Sequence, residues 1–155
     1  MALTYSSMLS LKSELATFNL LNTITGERFT SDDLDKNKHS LIMFICNHCP
    51  YVIHYHDEIK RLANDFDKTI NIVAISSNDV EEYPQDGPDK MRELWVELGL
   101  SFPYLFDSTQ DVAKQFKAEC TPEFYLFDSS QKLVYRGRLD ESSPNSGLEP
   151  TGKDL

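Results

Sequence analysis

An apolar run, Leu41-Ile42-Met43-Phe44-Ile45, ends directly in Cys46-Asn47-His48-Cys49-Pro50. This junction limits the fold more than any other feature of the chain. A short continuous apolar run reads as a strand buried on both faces. Such a strand delivers two thiols into what reads as the start of a helix. At a helix N-terminus the unpaired N–H groups and a partial positive charge stabilise a thiolate. Cysteines at i and i+3 share one helix face, so they can close a short disulfide and reopen it. The spacing predicts thiol–disulfide chemistry. Cys46 is expected to be the exposed nucleophile, with a lowered pKa, and Cys49, one turn deeper, the thiol that resolves a mixed disulfide.

Around this junction strands and helices alternate, which predicts an α/β layer architecture. Residues 17–21 and 27–29 read as a hairpin turning at Thr25-Gly26, and Ser31-Asp32-Asp33-Leu34 as a capped helical turn. Residues 40–45 and 70–75 read as central strands. After Cys49, the apolar positions Val52, Ile53, Ile59, Leu62, Ala63 and Phe66 fit one helix. Pro88 opens a second helix, with Met91, Leu94, Trp95 and Leu98 on its apolar face, and Gly99 stops it. Trp95 is read as core. Residues 102–106 form a short apolar run, 108–116 a helix, and 123–128 and 132–138 a hairpin.

The 155 residues suit one domain, 1–155, with residues 1–15 as an N-terminal extension. Thr151-Gly152-Lys153-Asp154 resembles a helix start, with a Thr cap and an acid three residues on. A sheet with helices on both faces would need a closing helix there. The chain is therefore expected to lack that helix, as a C-terminally truncated domain.

The net charge is −10, and its acidic residues are scattered with no basic stripe to follow a phosphate backbone. Nucleic acid is not expected as a partner. No apolar stretch reaches the ~20 residues of a membrane span, and the N-terminus lacks a basic segment of secretory type. A cytoplasmic setting is expected. There, three cysteines point to catalysis or metal binding rather than to a disulfide scaffold.

The partner chain of a redox pair must be held against it. Thr121-Pro122 stands just before the strand at 123–128. A cis proline there would expose the backbone of Thr121 to an extended peptide. Pro122 is expected to be cis and to face the cysteines.

Five segments now coincide: Cys46 to Val52, Ile75 to Val80, Phe102 to Asp107, Cys120 to Phe124 and Tyr135-Arg136-Gly137. Together they resemble the redoxin branch of thioredoxin-fold proteins. That branch takes in peroxiredoxins of the alkyl hydroperoxide reductase and thiol-specific antioxidant type and thiol–disulfide oxidoreductases. Bacterial members with a Cys-Asn-His-Cys-Pro-Tyr-Val signature are the nearest in pattern. The resemblance implies a thioredoxin-like fold, a central mixed β-sheet flanked by helices. An N-terminal hairpin extension and a strand–helix insertion at roughly 77–107 would be added to it. It implies catalytic Cys46 and Cys49, with Thr121 and Pro122 facing them.

Placed between the thiols, His48 would favour the thiolate and weaken the disulfide. The pair is then expected to be more oxidising than thioredoxin, at about −270 mV. Cys120 and Glu123 are auxiliary candidates, Cys120 as a third thiol and Glu123 as a proton relay to Cys49. A protein or small-molecule thiol or disulfide is the expected partner; the oligomeric state stays open, a homodimer included.

Two alternatives differ in class. Cys49-Pro50 is similar to the peroxidatic site of peroxiredoxins, where a Thr stands at the place of Cys46 and an Arg assists the peroxide. Arg136 or Arg138 would have to supply that cation. A metal-binding module would use Cys46, Cys49, Cys120 and one of His54 and His56. Structural zinc sites commonly pair two CxxC-type knuckles, whereas here there is one, and both histidines are expected to point outward. No metal and no organic cofactor are expected. The acidic stretches Asp32–Asp35 and Asp86–Glu93 read as solvated faces.

Overall fold

Among the described residues, seven strands form one mixed sheet in the order β2-β1-β5-β4-β3-β6-β7. The computed structural model describes residues 9–155. The strands are β1 (Asn19–Asn22), β2 (Arg28–Thr30), β3 (Ser40–Phe44), β4 (Asn71–Ser76), β5 (Tyr104–Phe106), β6 (Glu123–Phe127) and β7 (Leu133–Gly137). The helices are α1 (Pro50–His54), α2 (His56–Phe66), α3 (Pro88–Leu98) and α4 (Asp111–Phe116). β3, β4 and β5 run parallel, while β6 lies antiparallel to β3 and continues into the β6–β7 hairpin. This is the thioredoxin-like arrangement expected from the sequence, with the β1–β2 hairpin added at the far edge through β5.

Successive residues of β3 feed two cores. Leu41, Met43 and Ile45 pack with α1, α2 and α3 on one face; Ile42 and Phe44 pack with α4, Leu15 and Phe18 on the other. Period-two alternation with both faces apolar explains why this strand reads as an unbroken hydrophobic run. Cys46 and Cys49 belong to the first face, with Val52, Tyr55 and Trp95. Trp95, 1% exposed, is core as expected.

Local signals place most element ends. Pro88 is the first residue of α3, and Gly99 ends it at φ +70, a left-handed position that suits glycine. Thr30 and Asp33 form the capping box of the turn at Ser31–Asp33. Three expectations change. The helix after Cys49 breaks at Tyr55 (φ −94, ψ 1) into α1 and α2. The helix expected from 108 starts at Asp111, because the buried Asp107 carboxylate accepts the N–H groups of Val112 and Ala113 (3.4 and 3.0 Å). Finally, Thr151–Asp154 makes a turn instead of a helix. Asp140 Oδ2 takes the Thr151 and Gly152 N–H groups at 2.7 Å each, and Asp154 N–H bonds back to Leu139.

Of the expected extension at 1–15, residues 1–8 lie outside the described residues. Residues 12–15 pair onto the start of β7, with Lys12 N–H to Leu133 O at 2.8 Å and Glu14 bridging to Lys132. That contact covers part of an otherwise open sheet edge. Among the described residues no helix is long and apolar enough to cross a membrane.

Candidate active site

β3 ends at Phe44, and Ile45 N–H still bonds to Ile75 O, so Cys46 leaves the sheet at the carboxyl end of its parallel strands. Helix α1 begins only at Pro50. The residue before a proline is kept out of the helical region by the proline ring, and Cys49 accordingly sits at φ −66, ψ 122, as the N-cap. Both cysteines therefore precede the helix and do not share one of its faces, which corrects the sequence expectation. Cys49, not Cys46, is the sulfur nearer the helix N-terminus.

Both are free thiols hydrogen-bonded to each other. Both also reach the loop that precedes β6. Cys46 Sγ lies 3.5 Å from Thr121 Oγ1, and Cys49 Sγ lies 3.6 Å from Thr121 O. The Thr121–Pro122 peptide is cis. Cys46, Cys49 and Thr121 are thus brought together, with the cis Pro122 next in the chain. The expected exposure of Cys46 is corrected: it is 1% exposed and Cys49 0%.

The charge is also placed differently. The Cys46 thiol is bound to Cys49, and burial adds to that, so its pKa is pushed well up. Cys49 accepts the Cys46 hydrogen bond and, against its own burial, is lowered to about 5 with help from Thr121 and the Val52 and Tyr51 N–H groups. Those N–H groups belong to the first turn of α1, where no carbonyl of the helix can take them. Cys49 is therefore the more acidic of the two thiols.

Asp86 is the residue that sequence reasoning missed. It lies in a short 3-10 turn at Pro84–Asp86 and is fully buried, at 0% exposure, so the solvated face expected for Asp86–Glu93 is corrected at its first residue. Its Oδ1 accepts the N–H groups of Asn47 (2.8 Å) and His48 (3.1 Å). Its Oδ2 accepts Asn78 Nδ2 (3.0 Å) and pairs with His48 Nδ1. A carboxylate deep in the protein is tolerated because each oxygen has two donors. The His48 ring stacks on Tyr83, with centroids 4.3 Å apart and planes 8° apart. Tyr104 OH donates to Asn47 Oδ1 at 3.0 Å, and Tyr104 stacks on Trp95. The loop between the cysteines is thus fastened from the insertion expected at 77–107.

The auxiliary residues lie elsewhere. Glu123 shares the opposite sheet face with Tyr125, whose hydroxyl donates to it at 3.1 Å, so it is no relay to Cys49. The physical reason is the strand period: Phe124 faces the cysteines, so Glu123 cannot. Cys120 bonds to Glu123; burial and that carboxylate push its thiol up to about 12. Arg138 is paired with Asp154 at 2.7 Å, and Arg136 Nε is buried without a hydrogen-bond partner; neither contacts Cys49 through a described hydrogen bond or ion pair. His54 and His56 do not point outward as expected. His54 Nε2 bonds to Ser142 Oγ at 2.9 Å, while His56 Nε2 is buried and unpartnered, and burial lowers its pKa.

Comparison with known proteins agrees with the fold. The redoxin family model matches residues 12–150. An uncharacterized conserved protein from Geobacillus kaustophilus superposes with a TM-score of 0.92 at 49% identity, over 96% of this chain and 79% of that one. A hypothetical protein from Sinorhizobium meliloti gives 0.92 at 34% identity, over 96% and 81%. A thiol–disulfide oxidoreductase from Bacteroides fragilis gives 0.62 at 22% identity, over 80% and 89%, and shares the fold. No curated protein matches.

Proposed function

The chain belongs to the redoxin family, and from that premise we propose that it is a thiol–disulfide oxidoreductase working through Cys46 and Cys49. One observation carries the reading. The two thiols share a hydrogen bond at the end of β3, and both lie against Thr121.

Cys46 attacks first. Both sulfurs are buried, Cys46 at 1% and Cys49 at 0% exposure, but Cys46 Sγ lies within 4.8 Å of a ring nitrogen of the partly exposed His48. The Cys46 proton passes along the S–H···S bond to Cys49, and the Cys46 thiolate attacks the substrate disulfide. One substrate thiolate leaves and takes up a proton. Cys49 then loses its proton and attacks Cys46, the mixed disulfide breaks, and the second substrate thiol leaves. The protein dithiol is oxidised by two electrons and the substrate disulfide is reduced to two thiols. Run backwards, the same steps oxidise a substrate dithiol. Thr121, whose hydroxyl lies beside Cys46 and whose carbonyl lies beside Cys49, would pair through its backbone with an extended substrate chain. A protein or small thiol in a cytoplasmic setting is the partner this reading favours.

The lowered pKa of Cys49 supports a second reading, thiol peroxidase. Once the buried sulfur opens to solvent, a peroxide would oxidise Cys49 to a sulfenic acid, which Cys46 would condense to the disulfide with loss of water. Parallel turnover assays separate the two. Insulin reduction with a reversible Cys46–Cys49 disulfide supports the first reading. Fast peroxide turnover without insulin reduction replaces it with the second.

A further inference from the structure

We propose that Cys46, His48 and Asp86 form a binding site for a zinc ion, which competes with disulfide formation for the Cys46 sulfur. One ligand atom of each of these residues lies within 4.8 Å of the other two. Zinc takes thiolate, imidazole and carboxylate at about 2.0–2.3 Å, so neighbouring ligand atoms stand about 3.5 Å apart. The cluster needs to close by about 1 Å at its widest separation, while His48 Nδ1 and Asp86 Oδ2, now in direct contact, must part by about 1 Å. Two anionic ligands and one neutral imidazole also balance the charge of the ion.

Each ligand is already oriented by groups that need not move. Asp86 keeps its bonds from the Asn47 and His48 N–H groups and from Asn78 Nδ2. Tyr83 holds the plane of the His48 ring, and Thr121 Oγ1 contacts Cys46 Sγ. Supports of this kind fix ligand direction in metal sites. The ion would take the place of the proton between His48 Nδ1 and Asp86 Oδ2, that proton passing to Nε2. The Cys46 thiol would release its own proton to solvent as the S–Zn bond forms. Three protein ligands leave a fourth position open. Cys120 takes no part, because its thiol is bound to Glu123; the ligand set differs in this from the one considered on sequence. Since Cys46 cannot hold zinc and a disulfide at once, the metal and oxidised forms exclude each other.

The test uses the full chain, reduced and stripped of metal, with zinc affinity read by competition against a chromophoric chelator. Co²⁺ substitution counts the thiolate ligands through the charge-transfer band. One zinc per reduced chain is expected, none in the disulfide form, and a single thiolate in the cobalt spectrum. Cys46→Ser, His48→Asn and Asp86→Asn should each weaken binding at least about tenfold, whereas Cys49→Ser and Cys120→Ser should stay within about threefold. Should Asp86→Asn not fold, His48→Asn, at a partly exposed ring, decides the matter. Lack of stoichiometric binding, binding unmoved by His48→Asn, or a loss in Cys49→Ser equal to that in Cys46→Ser would overturn the site. Disulfide exchange is assayed with chelator present, so a failure to exchange bears on the proposed function and not on zinc.

Discussion

His48 is joined to the fully buried Asp86 twice, through its backbone N–H and through Nδ1 of its ring. Of the two residues between the cysteines, this one is therefore anchored by both backbone and ring to a turn more than thirty positions further along the chain. Its imidazole is held in one orientation while a ring nitrogen stays within 4.8 Å of Cys46 Sγ. We expect an imidazole so placed to favour the thiolate over the disulfide. Replacing it by His48→Ala should make the pair more reducing, by about 30 mV for each 1.4 kcal/mol of thiolate stabilisation lost. Equilibration with a glutathione buffer reads the potential directly. A shift towards more oxidising values would count against any role of His48 in the redox balance.

Asp86 should matter to stability as well as to chemistry. Asp86→Asn gives up acceptor capacity at a site where four donors point at one carboxylate. A lost buried bond to a charged acceptor costs about 1–3 kcal/mol. Urea unfolding of the reduced protein measures it. An unchanged midpoint would show that the loop holds its shape without this anchor.

Reactivity of the reduced pair should follow the charge on Cys49. Its pKa is lowered to about 5 by the Cys46 hydrogen bond and the N–H groups of α1. A thiol with a lowered pKa is anionic above that value and protonated below it. The rate of reaction with a small, neutral electrophile should thus be nearly flat from pH 8 to pH 6 and fall as pH drops through about 5. A rate that still climbs steeply between pH 7 and 9 would place the charge elsewhere.

Cys120 should be dispensable for exchange. Its thiol is pushed up to about 12, first by burial and then by Glu123, so it is protonated at neutral pH. Cys120→Ser should retain insulin-reduction turnover within about twofold, as a thiolate is what exchanges. A loss comparable to that of Cys46→Ser would make it a third redox thiol.

Asp140 offers an acid-stability test away from the site. Burial alone would raise its pKa, but hydrogen bonds from Ser142, Gly152 and Thr151 hold it well below the usual range. A carboxylate depressed on folding contributes its full stability above the unfolded value of about 3.9 and loses it as pH falls through the folded one. The stability difference between wild type and Asp140→Asn should be constant near neutrality and shrink below pH 4. A difference independent of pH would remove the carboxylate from the explanation.

What the sequence disclosed and what it hid have physical causes. The central strands, the α3 boundaries and the β6–β7 hairpin were legible because unbroken apolar runs, Pro88, Gly99 and the Asp128 turn act within a few residues. Cys46, Cys49, Thr121 and Pro122 were legible because two short motifs carry them. Asp86 was hidden: it sits in an acidic stretch whose remaining members suit a solvated face, and its partners are 38 and 39 positions away. Pro50 did carry a usable signal. The rule that a residue before proline leaves the helical region would have moved the helix start past Cys49. The true face of Glu123 was also available, since Phe124 is the residue of β6 that must meet the buried cysteines.

The shared claim is that Cys46 and Cys49 act as one dithiol, and single-turnover trapping followed by mass spectrometry tests it most directly. With a disulfide substrate, wild type should return a Cys46–Cys49 disulfide, Cys49→Ser should accumulate a mixed disulfide on Cys46, and Cys46→Ser should exchange nothing. Turnover retained in Cys46→Ser, or no adduct on Cys46 in Cys49→Ser, would contradict it.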